Sequence, residues 1–145
     1  AMLEGTIRTF DNDLADLIHK EMITIATNIA KAHNVEASVE FAVYGSYPVT
    51  VNNPDLVKNY SKSLIEASDG LFSSNISAST GAEDFAFFAQ EVPGLYFWLG
   101  VNDIGVESAP GNHTPYFIVH DSALDNGVKG FINLVSDYSS DHSTN

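Results

Sequence analysis

Apolar residues recur along this chain with two different periods. In EGTIRTF (residues 4–10) Thr6, Ile7, Thr9 and Phe10 follow Gly5 without a breaker, which predicts a strand. Asp11 and Asn12 offer N-caps, and Leu14, Leu17, Ile18, Ile25, Ile29 and Ala32 then recur at spacings of 3, 4 and 7. That spacing predicts an amphipathic helix ending near His33 and Asn34. The period then switches to two. Val35, Ala37, Val39, Phe41 and Val43 alternate with Glu36, Ser38, Glu40 and Tyr44, as on a strand with one apolar face. Gly45, Pro48 and Pro54 break the pattern. Asn53 before Pro54 reads as an N-cap with proline at the first helical position, and Leu56, Val57, Tyr60 and Leu64 carry that helix to about Ala67.

Ile76 to Ala78 suits a short strand, and STGAEDFAFFAQ opens a short helix. GLYFWLGV (residues 94–101) is a continuous apolar run, the pattern of a central strand covered on both faces, so Leu95 to Leu99 are expected in the interior. Asn102 to Phe117 reads as a long loop. Asp121 caps a last helix through Leu124, Val128, Phe131, Ile132 and Val135, and the polar residues 139–145 read as a flexible tail. Strands alternating with helices predict an α/β fold. The break near residues 45–53 divides it: 1–45 before, 46–53 as linker and 54–138 after.

At 145 residues the chain is one ordinary domain in size, and its 44% hydrophobic and 17% charged residues fit a globular protein. The net charge of −13, from 19 acidic and 6 basic residues, repels nucleic acid and anionic lipid. Without cysteine there are neither disulfides nor thiolate metal sites. No apolar run reaches the roughly 18 residues that a membrane crossing needs. AMLEGT has no signal-peptide pattern, so a cytoplasmic location is the expectation.

Candidate chemistry is sparse. Arg8 shares a strand face with Thr6 and Phe10. It reads either as a solvated side chain or as a guanidinium offered to an anion, since its planar fork matches a carboxylate. Glu83 and Asp84 are the nearest approach to a carboxylate pair. However, Thr80 to Glu83 matches the Thr-x-x-Glu capping box, and adjacent helical positions point about 100° apart. Gly81, at a loop's entry to a helix, could let a ligand reach backbone N–H groups. The five histidines are His19, His33, His113, His120 and His142, and none pair at metal-ligand spacing. On local sequence His113, in GNHTPYF, reads first as a turn histidine. Ser79, Ser108 and Ser122 lie outside any Gly-x-Ser-x-Gly, so nothing supports a serine hydrolase. By itself the sequence holds no complete catalytic site.

Taken in order, GTIRTFDNDL, the amphipathic helix, YPVTVNNPDL, TGAEDFAFFAQEVPGLYFWLG and NHTPYF resemble the C-terminal part of the dizinc amidohydrolases. The nearest branch is that of hippurate hydrolases, N-acyl-amino-acid amidohydrolases and auxin-conjugate hydrolases, beside the aminoacylases and zinc carboxypeptidases of one metallopeptidase superfamily. The resemblance runs from about Glu4 to Val135. It implies that residues 1–45 are the second half of an inserted lid and dimerisation domain, so that a homo-oligomer is expected. It implies that 54–138 return to a zinc-binding α/β catalytic domain. His113 then corresponds to a metal ligand, Arg8 to a substrate- or lid-positioning group, and Thr80 and Gly81 to the wall beside the substrate. In that family two divalent metals, zinc or manganese, activate water against the amide bond of a small N-acyl amino acid. The other metal ligands and the general base would lie in a half that this chain does not contain, so catalysis by it alone is not expected. A non-catalytic dimerisation or binding module is the rival reading.

Overall fold

Two stacks of residues, each centred on helix, account for the structure, a computed structural model that describes residues 1–43, 45–102, 106 and 109–143. Among those residues the elements are α1 (Asn12–Ala32), α2 (Pro54–Ala67), α3 (Phe85–Glu91) and α4 (Asp121–His142). The chain forms two compact units, one of residues 1–51 with 77–92 and one of residues 52–76 with 93–145.

In the first unit α1 starts where the sequence places it. Asp11 accepts a hydrogen bond from the Leu14 N–H at 2.8 Å, satisfying one of the donors that a helix start leaves open. The helix ends at His33, and the chain turns away through Asn34 at φ 55°, a conformation asparagine tolerates better than most residues. Only Ala30 of α1 is buried; Ile18 is half-buried, while Leu17, Ile25 and Ile29 stay exposed, so its apolar stripe is only partly covered within the unit. The His19 and Phe41 rings lie 4.2 Å apart, and Tyr47 lies 5.8 Å from Phe87 of α3. The capping box does not form: α3 begins at Phe85, and Asp84 sits at its N-cap without a side-chain cap bond. Thr80 and Gly81 therefore lie in the segment ahead of the helix.

In the second unit α2 packs along α4. Asn53 caps α2 by accepting from the Asp55 and Leu56 N–H groups, both at 3.0 Å. Tyr60, Ser63, Leu64 and Ala67 form the buried face of α2, and Ala123, Gly127 and Gly130 that of α4. Of the two α4 glycines, Gly130 lets α2 come close and Gly127 makes room for Leu99. A Cβ at Gly127 would stand 2.9 Å from a Leu99 methyl, and one at Gly130 would stand 3.4 Å from Leu64 and 3.8 Å from Phe97. Polar bonds close one side of the seam. Ser63 donates to Asp137 at 2.6 Å, Tyr60 to Asp141 at 3.0 Å, and Asn133 to the Ser63 carbonyl at 3.2 Å.

Burial raises the Tyr60 hydroxyl above its ordinary value of 10.0, and the bond to Asp141 and the charges of Asp141 and Asp137 push it the same way. The folded chain thus holds this proton more tightly than the unfolded chain. The resulting stability is complete below about pH 10 and falls as pH rises through the raised value. Tyr60→Phe should remove that fall. Urea midpoints at about pH 8 and about pH 11 should converge in the variant while separating in the parent.

Where strands were expected, at residues 5–10, 35–44, 76–78 and 95–99, the described residues contain none, and Tyr44 lies outside them. A ladder needs a neighbour whose N–H and C=O groups face it. Among the described residues no backbone hydrogen bond joins residues 5–10 to 35–43. The run 94–101 meets side chains and single bonds instead. The Asn52 side chain donates to the Tyr96 carbonyl at 2.8 Å and accepts from the Tyr96 N–H at 2.7 Å, taking the place of a neighbouring strand. Asn53 N–H donates to Gly94 and His120 N–H to Val101. Phe97 and Leu99 face α4, whereas Tyr96 and Trp98 touch each other in a T-shaped contact at 5.6 Å. That alternation is strand-like. The interior expected for Leu95 to Leu99 is not found: Trp98 is 57% exposed, because only one side of the segment is covered. At the C-terminus α4 continues to His142, into residues expected as tail. Its N-cap is His120 rather than Asp121; the His120 ring accepts from the Ser122 N–H at 3.4 Å and lies 2.7 Å from the Ser122 hydroxyl.

Candidate functional site

The first unit brings three of the expected residues together. Arg8 donates from Nη1 to the Thr80 main-chain carbonyl at 2.6 Å, joining positions 72 apart in sequence. Gly81 follows at once, and its N–H donates to the Ser79 hydroxyl at 3.3 Å. The backbone donor expected to serve a ligand is thus engaged locally. All three residues are exposed. Arg8 has no carboxylate within ion-pair distance among the described residues, where the recorded pair is Lys62 with Glu66 at 3.4 Å. Among the described residues its hydrogen-bond acceptor is a main-chain carbonyl.

His113 belongs to the second unit. It sits in an exposed turn held by Thr114, whose N–H and hydroxyl both reach the Gly111 carbonyl, at 3.2 and 3.0 Å. The Phe117 N–H closes the next turn onto the Thr114 carbonyl. Tyr116 does not anchor the turn, being 74% exposed; Phe117 is half-buried. Among the described residues no group of three His, Asp or Glu side chains could hold a metal ion. A catalytic zinc takes about three protein ligands, so the residues present do not fit a two-metal centre and no reaction step is drawn through one. Ser108 lies outside the described residues. No helix among the described residues is long and apolar enough to cross a membrane.

Residues 1–137 match peptidase family M20/M25/M40. The chain belongs to that family. It is 34% identical over 137 residues to the uncharacterized hydrolase SA1230 of Staphylococcus aureus (strain N315), covering 94% of this chain and 35% of that protein. It is 33% identical over 123 residues to the uncharacterized hydrolase y4tI of Sinorhizobium fredii (strain NBRC 101917 / NGR234), covering 85% of this chain and 30% of that protein. No solved structure matches it. This M20-family chain spans about a third of the length of these two curated relatives, both of which carry the name hydrolase.

Two groups in the structure carry no signal at the level of sequence. The Thr80 carbonyl is a main-chain group, invisible to any reading by residue type. Asn52, adjacent to the capping Asn53, sits in a turn-rich stretch where asparagine needs no further explanation.

Proposed function

We propose that this chain is the C-terminal portion of a metal-dependent amidohydrolase that cleaves the amide bond of N-acyl amino acids or similar conjugates, and that it is inactive by itself. The family match over nearly the whole chain carries the reading. Within it, residues 1–45 act as half of a lid, 46–53 as linker and 54–138 as part of a catalytic α/β layer whose remaining strands come from the rest of a family-length protein. The one-sided cover of residues 94–101 supports a layer completed from outside. His113 contributes one metal ligand among several supplied elsewhere. Arg8 takes the free carboxylate of the substrate, with Thr80 and Gly81 beside it. The exposed stripe of α1 also favours association of two copies through residues 1–45.

A second reading, a non-catalytic binding or dimerisation module, is favoured by one observation: among the described residues no three His, Asp or Glu side chains are placed to hold a metal ion together. The two readings separate on Arg8. In a family-length protein carrying this segment, Arg8→Ala should lower catalytic efficiency by about 10- to 100-fold, the worth of one charged hydrogen-bonding pair, with metal content unchanged. Unchanged efficiency would return Arg8 to the solvated surface.

A further inference from the structure

Acidic residues outnumber basic ones by 19 to 6, yet Arg8 has no carboxylate partner among the described residues. Its recorded acceptor is neutral, the Thr80 carbonyl at 2.6 Å. That bond occupies one of five N–H donors and comes from Nη1. The opposite edge, formed by Nε and Nη2, is the edge that binds a carboxylate through two parallel bonds. An exposed arginine otherwise samples many rotamers, and a bound ligand has to restrict them.

We infer that the Thr80 main-chain carbonyl is a positioning group. It holds the Arg8 guanidinium by Nη1 so that the Nε–Nη2 edge faces an incoming carboxylate, and carboxylate binding in turn orders residues 79–82. This rests on the reading of Arg8 as the carboxylate-binding residue, and adds to it a coupling between ligand and loop. The coupling is reciprocal by thermodynamic necessity: a loop that fixes the guanidinium strengthens binding, and binding strengthens the loop's hold. Lysine at position 8 would keep the charge but has no second edge to offer once its ammonium faces the carbonyl.

The test uses this chain with N-acetylglycine as probe, against sodium chloride at equal ionic strength. Two signals are followed: the Arg8 guanidinium resonances, and amide exchange at Thr80, Gly81 and Ala82. The probe should shift the Arg8 resonances and slow exchange at the three amides by about fivefold, at the lower end of usual couplings. In Arg8→Lys the slowing should disappear. If the Arg8 resonances shift while exchange stays the same, the positioning role of Thr80 is wrong and the carboxylate reading survives. If the resonances do not shift, both are wrong. Equal slowing in Arg8→Lys would show that charge alone suffices and would overturn the two-edge geometry.

Discussion

His113→Ala, made in a family-length protein carrying this segment, is expected to abolish amide hydrolysis and lower bound metal while the helices remain intact. The loss should exceed the roughly 10- to 100-fold that follows removal of a group merely supporting a metal ligand. The local structure makes the substitution clean. His113 is exposed, lies in a turn whose bonds are made by Gly111, Thr114 and Phe117, and makes no side-chain hydrogen bond among the described residues. Removing its imidazole therefore costs the fold little. Circular dichroism, metal analysis and activity on N-benzoylglycine, measured together, separate a lost ligand from a lost fold. Full activity with full metal content would make His113 the turn histidine that its immediate sequence suggests.

Ile132→Ala should have very unequal consequences in two contexts. On α4, Val128, Ile132 and Val135 are 60%, 61% and 64% exposed, beside the face that packs on α2. In this chain the substitution removes a mostly hydrated side chain and gains helix propensity, so stability should change by less than about 0.5 kcal/mol. In a family-length protein, where the proposed layer covers that face, the same change should cost about 2–5 kcal/mol, as for a buried isoleucine. Urea unfolding of both proteins checks it. Equal tolerance in the two would make the face ordinary surface and remove a main support for a layer completed from outside.

Helices were legible because their signals are local. Asp11 and Asn53 cap α1 and α2 as the sequence indicates, and the 3–4 spacing of leucines and isoleucines fixed α1 to within a residue of its observed end. What failed was mostly tertiary. The run 94–101 carries the composition of a buried central strand, but whether a strand is covered depends on neighbours that its own residues cannot specify. Thr80 and Glu83 match a capping box, yet α3 starts two residues past Glu83, after Asp84. The start of α4 was misjudged by one residue because histidine is a rare cap, and an aspartate stood next to it. At the site, residue chemistry points to Arg8 and Gly81, and the motifs add Thr80. Their meeting across 72 positions was not readable from spacing, because it depends on how residues 77–92 fold back onto residues 1–51.

The central claim is that this chain carries one ligand of a metal site and needs the others from outside. Zinc content after equilibrium dialysis of the isolated chain tests it most directly. A single exposed imidazole predicts far less than one zinc per chain, bound weakly and removed by mild chelation. One tightly held zinc per chain, lost in His113→Ala, would contradict the account and show that this chain assembles a metal site unaided.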